Sequence, residues 1–295
     1  MTEQKVVAKR RRRSWRKTRT GMILERLGQN KLAMIGLIII ALLAFMAIFA
    51  PVIAPYSPTY QDFSAIYCKP NGEHWFGCDA LGRDIFSRCV YGARYSLSLG
   101  LAATVFGSAI GLFFGVIVGY IGGRTDNLVM RLMDIVSAIP GMLLAVIIST
   151  ALGSGFFNTI LAMSVGTIPG TIRQTRALCL KERQMEYIEA SVSVNCPKLK
   201  IMFSHMLPNI ISPLIVGMTM GIGFTIRGAA GLSFIGLGIQ PPTAEWGAML
   251  SDGRSMILLH PHLMLFPGLM IALTVLSFNL FGDGLRDALD PRLKD

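Results

Sequence analysis

LAMIGLIIIALLAFMAIFAPVIA, residues 32–54, runs for 23 residues without a charge. As an α-helix it measures about 35 Å, against a hydrocarbon core of about 30 Å. That length predicts a membrane span. The run is longer than the apolar part of a cleaved secretion signal. Its one small-residue site, Val52-Ile53-Ala54, is followed by Pro55, which blocks cleavage. An uncleaved first span is the expectation.

Five further apolar runs follow, at about 95–121, 127–151, 155–172, 208–237 and 262–282. The fourth is the shortest and is interrupted by Pro169 and Gly170. The fold class expected is an all-α integral membrane protein with six transmembrane helices. Composition agrees: 52% of residues are hydrophobic, only 15% are charged, and the mean hydropathy is +0.54. A soluble domain of this size needs more charge to cover its surface.

The net charge of +11 sits at one end. Residues 1–31 hold eleven Lys or Arg against Glu3 and Glu25, so the remainder is close to neutral. A span follows this basic arm directly, which favours cytosolic retention and attraction to anionic membrane lipid over binding of nucleic acid. With the N-terminus inside, the loop at 173–207 lies in the cytoplasm with Arg173, Arg176, Lys181, Arg183, Lys198 and Lys200. The outer loop at 238–261 then carries only Arg254. That distribution obeys the positive-inside rule and returns the C-terminus to the cytoplasm. The organisation expected is a basic arm at 1–31, the first span at 32–54 and an extracytoplasmic loop at 55–94. A core of five spans at 95–285 and a cytoplasmic tail at 286–295 complete it. Gly107, Gly111, Gly115 and Gly119 recur every four residues on the second span and predict close helix packing. Gly217 and Gly221 repeat the pattern on the fifth.

Between the fourth and fifth spans lies a polar island, EASVSVNCPKLKIMFSHMLPN at 189–209. Residues 173–193 are rich in helix formers. Ala190 and Ser191 are small, Asn195 tolerates the left-handed turn that ends a helix, and Pro197 suits the start of a second one. The island resembles the EAA loop of the membrane subunits of bacterial ABC importers. Glu189, Ala190, position 195 and Leu207-Pro208 stand at that motif's spacing, with Ser191 replacing its second alanine and Asn195 its glycine. The resemblance implies that Glu186, Glu189, Ala190, Ser191, Asn195 and Pro197 couple the chain to a separate ATPase.

HWFGCDALGRDIFSR at 74–88, MRLMDIVSAIP at 130–140, GLSFIGLGIQPPTAEWGAML at 231–250 and FNLFGDGLRDALDPRLK at 278–294 extend the likeness. They resemble the second, C-type permease subunit of dipeptide, oligopeptide and nickel importers. The resemblance implies half of a translocation pathway for short peptides, with glutathione or nickel-chelate cargo as the alternative. It also implies a homologous permease partner, two ATPase subunits that bind ATP and Mg, and an extracytoplasmic solute-binding protein. No cofactor is expected on this chain, and the location expected is the bacterial cytoplasmic membrane. His74, Trp75, Asp79, Arg83 and Asp84 would meet the binding protein.

Cys68 and Cys78 share the expected outer loop, where a disulfide and two free thiols are both open. His260-Pro261-His262 has no carboxylate cluster nearby and is read as interfacial rather than metal-binding. Asp134 is expected to pair with Arg131, one turn away. Arg227, inside the fifth span, is a candidate for the pathway or its gate. Snorkelling, a partner across the subunit interface, or a substrate carboxylate would each suit it. No G-x-x-x-x-G-K-[ST], H-E-x-x-H or G-x-S-x-G pattern occurs, so neither ATP hydrolysis nor another hydrolase reaction is expected of this chain. A self-contained secondary transporter would want inverted repeats and carboxylates near the midplane, and neither is visible.

Overall fold

The computed structural model describes residues 19–289. The basic arm up to residue 18 and the tail from residue 290 lie outside the described residues. Those that are described form helices with no strand among them. Helix α1 (Arg19–Gln29) leads into α2 (Lys31–Ile48), where Asn30 caps the start by accepting from the Ala33 N–H.

The first span is shorter than expected, because a break at Phe49 separates α2 from a final turn, Ala50–Ile53. Pro51 has no N–H to give to the Ala47 carbonyl four residues back. The side chain of Arg94 replaces it. Its Nε donates to the Ala47 oxygen at 2.5 Å and its Nη2 to the Ile48 oxygen at 2.8 Å.

Helix α3 (Ile85–Ile121) begins ten residues before the expected second span. Asp84 is the cause: its carboxylate accepts from the Ser87 N–H at 2.7 Å and starts the helix there. The third expected span is a broken pair, α4 (Gly123–Ala138) and α5 (Gly141–Leu152), bent by 87°. Pro140 holds an extended conformation between them. The fourth, α6 (Phe156–Glu182), runs through Pro169 and is longer than the apolar run suggested. A short helix, α7 (Glu186–Ser193), follows. A lead-in at Lys198–Lys200 and one π-type turn at Ile201–Met206 continue into α8 (Leu207–Phe234). Helix α9 (Trp246–Gly253) precedes the last long helix, α10 (His262–Leu289). Four of the described helices are long and apolar enough to cross a membrane, or five if the bent pair counts as one span.

Helices α3 and α6 pack most extensively, and the glycine ladder explains why. A Cβ on Gly107 would lie 2.7 Å from the Ser164 oxygen, and one on Gly111 2.5 Å from the Thr171 Cβ. One on Gly119 would lie 2.5 Å from the Cys179 Cβ. The ladder faces its own complement on α6, also stepped by about four residues, so the two backbones approach closely. Gly217 and Gly221 do something different from the expectation. A Cβ on Gly217 would lie 3.1 Å from the Gln174 side chain, and one on Gly221 3.4 Å from a Thr104 methyl. They meet side chains of α6 and α3 rather than neighbouring backbone.

Candidate functional site

Helix α7 projects between α6 and α8 and is held by one side. Ile188 is its only fully buried residue. It packs with Val116 from α3, Cys179 from α6, and Ile201, Met202, Met206 and Ile210 at the entry to α8. The C-terminus is closed by a Schellman turn. Asn195 takes φ +55, its N–H bonds the Val192 oxygen at 2.9 Å, and the Cys196 N–H bonds the Ser191 oxygen at 3.1 Å. The residue expected to tolerate the left-handed conformation adopts it. Pro197 caps the Lys198–Lys200 lead-in rather than entering its first turn.

Tyr187 was not singled out by sequence, yet it ties α7 to both long neighbours. Its hydroxyl donates to Glu182 Oε1 at 2.5 Å, at the end of α6, and accepts from Asn209 Nδ2 at 2.9 Å, at the start of α8. Burial and the Glu182 carboxylate push its phenol up to about 12, so it stays a neutral donor at physiological pH. Glu186 and Glu189 sit in the first turn, where carboxylates complement the helix dipole. Both are exposed, as are Ala190 and Pro197, and Ser191 is half-buried. Val194 is 77% and Leu199 67% exposed, so apolar side chains stand uncovered around the helix. Beside it lies a groove of about 510 Å³, lined by Glu189, Arg183 and Lys198 among others.

A second opening runs inward from this end. A cavity of about 680 Å³ lies between α6, α8 and α10, with Gln174, Asn209, Ser212 and Arg286 on its wall. Gln174 and Gly217 also border a smaller space of about 260 Å³, bounded by Thr104, Ser108, Thr167 and Thr171. The two cavities share Gln174 and Gly217, and hydroxyl-bearing side chains line the inner one. Arg227 lies further along α8, exposed, with its guanidinium 5.0 Å from the Phe224 ring centre. No hydrogen bond or ion pair engages it among the described residues.

At the opposite end of α3, the loop before Asp84 is built around buried charge. Asp79 accepts from Arg83 Nε at 2.6 Å and lies 3.6 Å from Arg88 Nε. Arg83 Nη2 reaches Asp252 of α9 at 3.3 Å. His74 Nδ1 bonds Asp84 Oδ1 at 3.0 Å. His74, Asp79, Arg83 and Asp84 are all buried. Those four side chains belong to an internal framework, and of the five residues expected to meet a binding protein Trp75, 57% exposed, is the one presented outward. Helix α9 is fixed across α3 by Glu245, whose buried carboxylate accepts from Ser96 Oγ and from the Gly247 and Ala248 N–H groups. Burial pushes that carboxyl up, and the Gly247 and Ala248 N–H groups with the Ser233 and Ser96 hydroxyls pull it back. Trp246 Nε1 donates to the Cys89 oxygen at 2.9 Å.

Cys68 and Cys78 face each other, with His74 alongside. His260 stacks on Tyr67 at 4.7 Å, and His262 is buried. Asp134 pairs with Arg173 at 3.3 Å, not with Arg131, because α4 lies against α6 at that height. Asp126 receives a two-pronged bond from Arg176 one turn further on, the Nη2 arm at 2.6 Å.

A helical bundle with several apolar spans, a capped helix projecting between two of them and an inward polar path is the membrane-spanning subunit of a transporter. The chain belongs to the family of binding-protein-dependent transport system inner membrane components, whose model matches residues 111–295. Residues 18–70 match the N-terminal transmembrane domain of oligopeptide transport permease C. The chain is 46% identical over 270 residues to the glutathione transport system permease protein GsiD of Escherichia coli O6:K15:H31. That alignment covers 91% of this chain and 89% of the relative, and the GsiD of Shigella boydii serotype 4 matches equally. The fold is similar to a chain of the MetNI methionine ABC transporter in an inward-facing conformation. The TM-score is 0.57 at 20% identity, covering 69% of this chain and 97% of that one. The protein is accordingly a multi-pass permease subunit of a peptide-type ABC importer of the inner membrane, a non-enzymatic component of its transporter.

Proposed function

We propose that residues 186–197 are the lever through which a separate ATPase moves this permease, and that the cargo is a short peptide, glutathione included. The observation that carries the reading is the build of α7. It is anchored by Ile188, closed by the Asn195 turn and bonded through Tyr187 to α6 and α8. The rest of it is exposed, apart from the half-buried Ser191. Small and apolar side chains uncovered at the charged end of a membrane bundle call for a protein partner. A push on α7 reaches two spans at once.

Both termini and α7 are placed in the cytoplasm by charge, and the bent α4–α5 pair and α6 complete six crossings with the other four. ATP and Mg bind on two ATPase subunits. A homologous permease supplies the other half of the pathway. In its support, no residue of α4 is fully buried within its own chain, although its Asp126 and Asp134 pair with Arg176 and Arg173 of α6. Arg227, without a carboxylate of its own, meets one from that partner or from the peptide. The solute-binding protein docks over Trp75. Charges and hydroxyls along the path from Arg286 to Thr104 offer hydrogen bonds suited to a peptide backbone. The GsiD relatives support glutathione, a tripeptide, as the first cargo to try.

The test is uptake of radiolabelled glutathione and of a dipeptide by cells that contain the full transporter, with and without this chain. Uptake of either that depends on the chain supports the reading. Dependence on neither, with nickel-chelate uptake depending on it, overturns the peptide cargo.

Tyr187→Phe tests the linkage. Removal of one exposed hydroxyl costs about 1 kcal/mol in hydrogen bonding, so the chain should fold and the ATPase subunits should still co-purify. Uptake is expected to fall about fivefold while ATP hydrolysis persists. Unchanged uptake would remove Tyr187 from the path of force.

A further inference from the structure

The loop ahead of α3 brings two cysteines together by its backbone. The Tyr67 N–H bonds the Asp79 oxygen at 3.1 Å, and the Cys78 N–H bonds the Cys68 oxygen at 3.0 Å. The two backbone segments therefore lie side by side, with positions 68 and 78 next to each other. Gly77, at φ +79, makes the approach feasible: a Cβ there would lie 2.5 Å from the Cys68 oxygen. The two Sγ atoms are 2.6 Å apart, Cys78 is fully buried and Cys68 half-buried.

His74 completes a cluster whose ligand-type atoms all lie within 4.8 Å of one another, which raises a metal ion as the competing occupant. The sulfur spacing argues against it. Two thiolates at about 2.3 Å from a tetrahedral metal stand about 3.8 Å apart, and no ion fits between sulfurs at 2.6 Å. Burial above all, then the Cys68 thiol and the nearby Asp84 and Asp79, raise the Cys78 thiol and so disfavour the second thiolate such a site needs.

We propose that Cys68 and Cys78 are joined by a disulfide that closes residues 68–78 into a covalent ring. The ring holds His74 against Asp84, and Asp84 starts the longest helix of the bundle. The inference rests on the outward placement of this loop given above, because disulfides persist in the oxidising extracytoplasmic space. Two S–H bonds break and one S–S bond forms. The two electrons and two protons pass to an exchange-active disulfide of an extracytoplasmic oxidant, which leaves as its dithiol.

The test uses the full chain in its membrane. Free thiols are blocked with N-ethylmaleimide in hot SDS, the sample is reduced, and a polyethylene-glycol maleimide is added. Two reduction-dependent labels are expected, both lost in Cys68→Ser and in Cys78→Ser. SDS strips a bound metal, so thiols that held an ion would be blocked at the first step. Absence of reduction-dependent label overturns the bond on whichever side the loop lies. In a separate arm, Trp75→Cys in the Cys68→Ser/Cys78→Ser background is treated in intact cells with a membrane-impermeant maleimide. Labelling supports the outward placement, and failure to label there, with labelling after lysis, overturns it whatever the state of the two thiols.

Discussion

Glu189→Lys is expected to release the ATPase subunits from the detergent-solubilised complex while leaving the permease folded. Glu189 lies in the first turn of α7, on the exposed side, in a groove it shares with Arg183 and Lys198. Its carboxylate complements the helix dipole, so reversal there costs the isolated chain only about 0.3–1 kcal/mol. The large effect falls on the docked state. A lysine would set a third cation beside Arg183 and Lys198 and meet whatever cation or N–H donor the partner offers Glu189. Loss of one side of a desolvated charge pair costs about 2–5 kcal/mol, a weakening of about thirtyfold to several thousandfold. Glu189→Gln should fall between, because it keeps size and loses charge without reversing it. The measurement is the amount of ATPase retained on an affinity-tagged permease, read beside the permease's own yield. Retention at the wild-type level with Lys at 189 would take α7 out of the interface.

Gly115→Val should cost the protein its folded state. A Cβ at 115 would stand 2.6 Å from the Thr175 Cβ and 3.1 Å from the Ile172 oxygen, with α6 backbone behind. Neither neighbour is the free end of a flexible chain, so α3 and α6 must separate along the most extensive pairing in the molecule. Overpacking a tight core costs about 1–3 kcal/mol where it can relax. Here the strain propagates to Gly111 and Gly119, one turn away on either side, and the expected result is loss of monodisperse protein from detergent. Gly166→Ala is the control. It lies on α6 with nothing within 4 Å of its added methyl, so it should extract normally. If Gly115→Val behaves like that control, the ladder is not what holds these helices together.

Much of this was legible along the chain because hydropathy and charge act locally. A run of 23 uncharged residues has few alternatives to a span, and a Glu-Ala-Ser run ending at Asn195 with Pro197 after it specifies a helix, a left-handed stop and a restart. The ladder of glycines announced a close approach through its period alone. The boundaries were harder. Asp84 starts α3 within a polar stretch that hydropathy assigns to the loop, and only its bond to the Ser87 N–H shows the helix beginning there. Tyr187 gave no signal, because a tyrosine on a short helix is ordinary until Glu182 and Asn209 are found on either side of it.

Hydropathy, charge placement and turn chemistry are properties of neighbours in sequence, and they determined the helical class, the spans' approximate positions and the projecting helix with its cap. Which partner each charge would find depended on residues far away along the chain. Asp134 chose Arg173 over Arg131, Arg94 closed the gap left by Pro51, and the buried Arg83 and Arg88 were drawn to the buried Asp79 and the more exposed Asp252. Those choices follow from packing: a charge takes the partner that neighbouring helices bring within reach, most stringently where it is withdrawn from water as at Arg83 and Arg88, and only the assembled helices decide which one that is.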